Sequence, residues 1–478
     1  MNSNAKKGLL VVLIGLVIWF LPVPAGLKPQ AWQLFAIFVA TILGFILQPL
    51  PIGAVALISV GITGFLKIVS PADVLSGFGN TTIWLIVSAF LFAKGFIKTG
   101  LGRRIAYKIM GEIGDSSLKL GYAMVLSDLI IAPATPSNTA RAGGILYPIV
   151  RSLCSAFDSE PGASSRKIGS YLMKTTFQGN CITSAMFITA VAPNSLVVAL
   201  AAQTAKVNIS WGTWALAGIV PGLVALAVTP YIIYKLYPPE ITKTPEAKEL
   251  ARKEIEKMGP MSRGEKIVAA VFVLALILWA TASFTKLDAT MVAMVCVGIM
   301  LIGQAIEWKD VIEEKGAWDT LIWMGALMSL AGALNKLGLI GWFAKLVGGS
   351  LVGVSWWMAL GVLLLVYMYS HYAFASLSAH VTAMYAAFLA VAVAAGSPPF
   401  LAAMSLGVIS ALYGGLTHYA TGPAPIYFGA GYIPQGTWWK IGFVMSISNL
   451  IIFIGLGGLA TSLLAYTAYA SQWVAGPA

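Results

Sequence analysis

The sequence predicts an all-α polytopic membrane protein, with about 11 transmembrane helices, two re-entrant hairpins and two inverted-topology repeats. Three observations carry this. First, the 478 residues are 58% hydrophobic and only 10% charged, with mean hydropathy +0.84, whereas soluble domains carry about 25% charged residues. Second, many uninterrupted apolar runs approach the ~20 residues of a spanning helix, and none shows the alternation of barrel strands. Third, clusters of proline and small polar residues interrupt the apolar pattern at matching places in the two halves. The net charge of +12 does not signal nucleic acid, because the Lys and Arg sit in short loops, as membrane orientation requires. The three cysteines, Cys154, Cys181 and Cys296, fit no disulfide framework or metal spacing, and no metal or cofactor is expected.

Lys6 and Lys7 precede the first apolar run, 8–25, which no convincing small-x-small cleavage site follows. It is expected to stay as an N-terminal anchor. Further spans fall at 31–48, 51–68, 81–99, 175–200 and 213–234. A charged stretch from Pro238 to Lys266 follows. Its Glu246-to-Lys257 part reads as a surface helix by i,i+4 charge pairs. The remaining spans are 267–283, 287–304, 320–337, 400–430 and 438–465. Two segments, 121–150 and 355–395, are too broken for simple spans and read as re-entrant helical hairpins. The chain thus divides into an anchor, 1–30; a first repeat, 31–235; a cytoplasmic charged linker, 236–266; and a second repeat, 267–478.

Basic loops set the orientation. Lys6 and Lys7 place the N-terminus inside. Arg103, Arg104, Lys108 and Lys119 then fall inside, as do Arg151, Arg166, Lys167, Lys174 and the linker. Lys28, Lys206, Lys286 and Lys345 mark the sparser outer loops. The acidic stretch Glu307 to Asp319 is also expected inside, although Asp and Glu count for little in this rule. The C-terminus, where Gln472 to Ala478 carries no Lys or Arg, is expected outside.

The repeats are read from echoes. Asn80-Thr81-Thr82-Ile83-Trp84 then Lys98-Thr99-Gly100-Leu101 matches Asp319-Thr320-Leu321-Ile322-Trp323 then Lys336-Leu337-Gly338-Leu339. Gly212-Thr213-Trp214 matches Gly436-Thr437-Trp438. Pro136-Ser137-Asn138-Thr139 lies where Leu377-Ser378-Ala379-His380 lies later. Inverted repeats with broken helices build secondary transporters with a site near the midplane.

The chemistry is expected at the breaks. Pro133 and Pro136 cannot continue a helix. Ser137 or Asn138 then caps the next one and leaves N–H groups facing a cavity, a setting that holds an anion. The second tip, Ser376-Leu377-Ser378-Ala379-His380, places a histidine in a membrane interior, where ionisable groups are costly and functional. His380 is either a neutral donor or a cation holding a carboxylate. His371 and His418 read as satisfied buried histidines. Two more breaks, Ala190-Val191-Ala192-Pro193-Asn194 and Thr421-Gly422-Pro423-Ala424-Pro425, place Thr189, Asn194, Thr421 and Pro423 at the edges of the site. Lys94, inside the span 81–99, is either a snorkelling cation or a fixed charge near the substrate. Asp128 pairs with a basic residue or caps a helix.

On Ser137-Asn138-Thr139, the second tip and Thr421-Gly422-Pro423, nearly the whole chain resembles the divalent-anion/sodium symporter family of dicarboxylate, citrate and sulfate carriers. Within it, the chain is most similar to the bacterial and plastid 2-oxoglutarate/malate translocators and the citrate/succinate and tartrate/succinate antiporters. The resemblance implies a homodimer in the cell inner (plasma) membrane whose transport domains move by an elevator mechanism. It also implies dicarboxylate held between two Ser-Asn-Thr tips, with sodium beside each tip in coupled members. The second tip departs: Ala379 and His380 stand where Asn and Thr are expected. Sodium binding there is thereby undercut, and a protonated His380 or Lys94 becomes the expected charge compensation. The leading expectation is a sodium-independent dicarboxylate exchanger. A sodium-coupled dicarboxylate or citrate symporter is the alternative. An intramembrane enzyme and a channel are the readings of other classes; the sequence offers no metal motif for the first and no ring of charges for the second.

Overall fold

A computed structural model describes residues 3–350 and 355–474. The side chain of Lys345 and the last four residues of the expected outer tail lie outside what it describes. Among the described residues the chain is helical, with one isolated antiparallel bridge between Ser116 and Lys243. Among the described residues, eight helices are long and apolar enough to cross a membrane, among them Ser3–Phe20, Pro29–Leu47, Thr81–Thr99, Trp211–Leu236 and Lys315–Lys336. The Ser3–Phe20 helix buries none of its residues, and Leu9, Leu13, Val17 and Phe20 face outward, as a lipid-facing helix requires. The expected surface helix is Pro245–Met258, laced by Arg252–Glu249 and Lys257–Glu254 pairs.

The chain folds into two compact units. One comprises Met1–Val87, Ser195–Ile209 and Lys315–Gly407; the other comprises Ser88–Asn194, Ser210–Glu314 and Val408–Ala478. Each draws on both expected repeats. In the first unit, Leu34, Ile68, Leu330, Ala333, Leu334 and Leu339 form a common core. The turn Ser76–Gly79 lies against the Lys315–Lys336 helix, where Gly77 N–H donates to Ser329 Oγ at 2.9 Å. A Cβ at Gly77 would run into the Gly325 carbonyl, so only glycine fits.

The second unit is built around the helix Gly169–Met186, every residue of which is buried. The expected span 175–200 carries its expected break and differs from expectation in the polarity of its first half. That span is two helices, Gly169–Met186 and Ala192–Ala205, separated by a short break. The first is polar rather than apolar, carrying Lys174, Thr175, Thr176, Gln178, Asn180, Thr183 and Ser184. Lys174, expected in an inside loop, is wholly buried, with its Nζ 3.9 Å from the Trp438 ring centroid. Such a helix survives inside a membrane protein because protein, not lipid, surrounds it. Arg104, also expected in a loop, lies on the amphipathic helix Leu101–Ile113. It is held by Glu265 at 2.6 Å and 3.1 Å.

Both hairpins adopt one design. A helix, Ser117–Ile131, tightens into a 3₁₀ turn at Ala132–Ala134 and breaks; the chain resumes as a π-helical stretch, Thr139–Leu146, then Tyr147–Ala156. The second runs Trp356–Tyr369, the 3₁₀ turn Ser370–Ala373, a break, and Leu377–Ala394 with a π-helical stretch at Val381–Tyr385. Gly100 and Gly338, matched in the sequence echoes, both take positive φ, +81° and +87°.

Candidate functional site

The first tip begins at Ser137, whose Oγ accepts the Ala140 N–H at 3.1 Å and so caps the following turn. Asn138 is buried, and its Nδ2 donates to Thr421 Oγ at 2.8 Å. This bond joins two of the expected breaks within the second unit. Their approach is close: a Cβ at Gly422 would collide with Thr139 Oγ1. Tyr427 Oη donates to the Ala142 carbonyl at 2.9 Å, and the Pro423 carbonyl accepts the Ile426 and Tyr427 N–H groups. Ser137, Asn138, Thr139, Thr421 and Pro423 therefore belong to one local structure.

The break before Ala192 packs onto the same tip. Ala192 N–H donates to the Pro136 carbonyl at 3.0 Å. Thr189 Oγ1 donates to the Pro133 carbonyl and accepts from Trp211 Nε1 at 2.9 Å. Thr189 thus ties two breaks together. Asn194 turns to its own break instead, its Nδ2 donating to the carbonyls of Ser184 at 2.7 Å and Phe187 at 2.8 Å.

The residue that sequence reasoning passed over is Arg141. Its side chain is wholly buried and pairs with Asp128, also wholly buried, at 3.1 Å. Its NH2 donates to Ser184 Oγ at 2.9 Å. Its NH1 donates to the carbonyls of both Thr135 and Ala190, one from each break. Asp128 further accepts from Asn180 Nδ2 at 3.0 Å and from Thr183 Oγ1. The basic partner anticipated for Asp128 is therefore Arg141. A buried pair of this kind persists only when hydrogen bonds satisfy its remaining donors and acceptors, as here.

Lys94 does not join this constellation. Its half-buried ammonium lies 3.4 Å from Glu314, and neighbouring Lys98 pairs with Glu307 at 3.0 Å and Asp310 at 2.6 Å. Its charge is matched by a carboxylate from the acidic stretch.

The second tip lies in the first unit. Its cap is Ser376, whose Oγ accepts the Ala379 N–H at 3.3 Å. Ser376 therefore plays the part of Ser137, and the register expected from Ser378 moves by two residues. In this register Ser378 corresponds to Thr139, and His380 to Arg141. The main chain agrees, since Arg141 N–H donates to the Ser137 carbonyl and His380 N–H to the Ser376 carbonyl. Each tip thus carries a cationic or protonatable residue four positions after its capping serine. His380 is wholly buried, 3.1 Å from Ser370 Oγ through Nε2, with Phe374 stacked on it at 4.4 Å. Its Nδ1 lies 2.8 Å from Nδ1 of His371. From sequence alone His371 reads only as a satisfied buried histidine.

Residues 2–466 match the family described as the sodium:sulfate symporter transmembrane region. The chain belongs to this family of transporters. It is 54% identical to the putative malate transporter YflS of Bacillus subtilis (strain 168), over 94% of this chain and 95% of that one. It is 49% identical to dicarboxylate transporter 1, chloroplastic, of Spinacia oleracea, over 96% and 81%. It is 38% identical to the L-tartrate/succinate antiporter of Escherichia coli (strain K12), over 92% and 94%. Among solved structures it is similar in fold to the YdaH transporter of Alcanivorax borkumensis, at TM-score 0.53 and 11% identity over 97% of each chain. Family membership makes this a multi-pass membrane transporter rather than an intramembrane enzyme.

Proposed function

We propose that this chain is a sodium-independent exchanger of dicarboxylates such as 2-oxoglutarate, malate and succinate. Relatives named for malate, dicarboxylates and tartrate/succinate support the substrate class. One observation carries sodium independence: Arg141 donates to the carbonyls of Thr135 and Ala190 at two helix breaks. Unwound carbonyls at such breaks are what coordinate a coupling ion in cation-driven carriers. Here a permanent cation fills that role and cannot leave with the substrate. The capped start at Ser137, with Asn138 held by Thr421, supplies N–H groups suited to one carboxylate. Ser376, Ser378 and His380 form the second carboxylate-holding tip.

The elevator movement, the homodimer and the inner-membrane location with a cytoplasmic N-terminus are part of the same reading. They rest on the family resemblance, on an inner-membrane relative in Escherichia coli and on the placement of basic residues. The intact Ser137-Asn138-Thr139 favours the competing reading, a sodium-coupled symporter. Counterflow separates the two. Proteoliposomes are loaded with malate, succinate, citrate, sulfate or nothing, and uptake of labelled 2-oxoglutarate is followed with and without a sodium gradient. The exchanger takes up label only into dicarboxylate-loaded vesicles and is indifferent to sodium. Sodium-driven uptake into empty vesicles would establish the symporter and remove the role given to Arg141.

A further inference from the structure

We propose that the cavity between the helix Pro29–Leu47 and the helix carrying the second tip is a lipid site. One acyl chain of a bilayer phospholipid fills it, and the ester carbonyl of that chain accepts the Trp32 Nε1–H. The inference needs only that the protein lies in a membrane and stands apart from the exchanger reading.

The cavity measures about 430 Å³ and lies wholly within the first unit. Trp32, Phe35, Val39 and Leu43 line it from Pro29–Leu47, spaced as one helical stripe. Thr382, Ala386 and Ala390 line it from the helix that runs on from the second tip. Trp342 and Phe343 of Leu339–Ser350 close a further side. Apart from Thr382 and the indole N–H groups, the described lining is aliphatic or aromatic throughout. Two polar atoms of this lining, Trp32 Nε1 and Thr382 Oγ1, are buried with no hydrogen-bond partner.

Such a space is poorly suited to vacancy or to water. A void forfeits the contacts of its walls. A buried water needs about two to four polar partners, and apolar cavities stay dry. An apolar occupant fits, and the bilayer supplies one.

The stripe sets the length of the occupant. Trp32 to Leu43 is eleven residues, about 16 Å of helix at ~1.5 Å per residue. That is about half of the ~30 Å hydrocarbon thickness of a bilayer, the depth that one acyl chain occupies in its own leaflet. Trp32 sets the polar end. It stands at the start of a membrane-crossing helix, and so at the level of a membrane interface. Trp342 marks the same level, since its Nε1 donates at 3.1 Å to the Ala25 carbonyl, in the link just before that helix. Lipid ester groups lie at this boundary between headgroups and hydrocarbon. Indole Nε1 is a donor only, and an ester oxygen is the acceptor it lacks. The Thr382 hydroxyl gains nothing from a hydrocarbon chain, so it takes no part in holding one.

Photolabelling tests the site. The protein is reconstituted into vesicles of phosphatidylethanolamine and phosphatidylglycerol. These contain a phosphatidylcholine with a diazirine midway along one acyl chain, and adducts are mapped by mass spectrometry. Outward-facing Leu13 and Val17 of the Ser3–Phe20 helix report contact with bulk lipid. Adducts on residues 35–43 and 383–390 are expected to saturate at low label, whereas those on Leu13 and Val17 rise in proportion to it. Ala387→Trp fills the cavity and should abolish the saturable adducts while leaving the bulk ones. Trp32→Phe keeps a ring and removes the donor, and should raise the label needed for half-saturation about fivefold. Thr382→Val should leave that value unchanged or lower it. Adducts confined to the Ser3–Phe20 helix would overturn the site, as would full cavity labelling in Ala387→Trp. A half-saturation unmoved by Trp32→Phe would overturn the ester contact. Loss of labelling in Thr382→Val would mean an occupant held by that hydroxyl, contrary to an acyl chain. If Ala387→Trp does not fold, Trp32→Phe and Thr382→Val, both close in shape to the native residues, decide the matter.

Discussion

At the residue scale, the first tip depends on a few short bonds between helix breaks. The Asn138–Thr421 bond is the most direct, because it joins the tip to a break distant in sequence. Thr421→Val preserves shape and removes the acceptor. The lost bond is worth about 1 kcal/mol, so KM for 2-oxoglutarate should rise roughly fivefold, and Thr421→Ser should restore it. A KM unchanged by valine would mean that Asn138 is positioned by other means. The composition of this tip is legible in the sequence: two prolines, a capping serine and an asparagine inside an apolar run announce a break. Arg141 lies in the same run, four residues after the cap, yet nothing in the sequence distinguishes it from a loop arginine. Its identity as the partner of Asp128 follows only when the tip turns back beside its own incoming helix. His371 escaped notice for a similar reason. It lies nine positions before His380, and a 3₁₀ turn and an extended link bring the rings together.

At the element scale, apolar runs locate most of the helices, because a backbone in lipid has to satisfy its own hydrogen bonds and expose apolar side chains. The same criterion misses Gly169–Met186, whose polar residues mimic a loop. That helix is contacted on all sides by protein, so hydropathy says nothing about its depth. Its packing is set by small residues. Gly218 brings the Trp211–Leu236 helix so close that a Cβ would lie 2.8 Å from the Met186 carbonyl, an approach that only glycine permits. Trp214 Nε1 donates to Ala185 O at 2.9 Å beside it. Gly218→Ala should lower the apparent melting temperature in detergent by several degrees, and Gly218→Leu should prevent folded expression. Gly361, which has open space around it, provides the control, and Gly361→Ala should leave melting unchanged. Equal losses at Gly218 and Gly361 would point to helix propensity rather than close packing.

At the scale of the whole molecule, orientation is the property most open to direct test. The Pro245–Met258 helix carries exposed Arg252, and all three native cysteines are buried. Arg252→Cys should react with a membrane-impermeant maleimide only after permeabilisation. Labelling in intact cells would reverse the proposed topology. By itself the sequence determined the membrane class, the family and the positions of the helix breaks. Each of these depends on composition or on near neighbours in the chain. Tertiary structure decided the rest: the partner of Arg141, the capture of Lys94 by Glu314, the burial of Lys174, the register of the second tip and the pairing of His371 with His380. The physical reason is common to all five. A buried polar or ionisable group takes its meaning from what satisfies it, and in a chain of broken helices that partner is set by how the breaks fold back upon one another, which local sequence does not record.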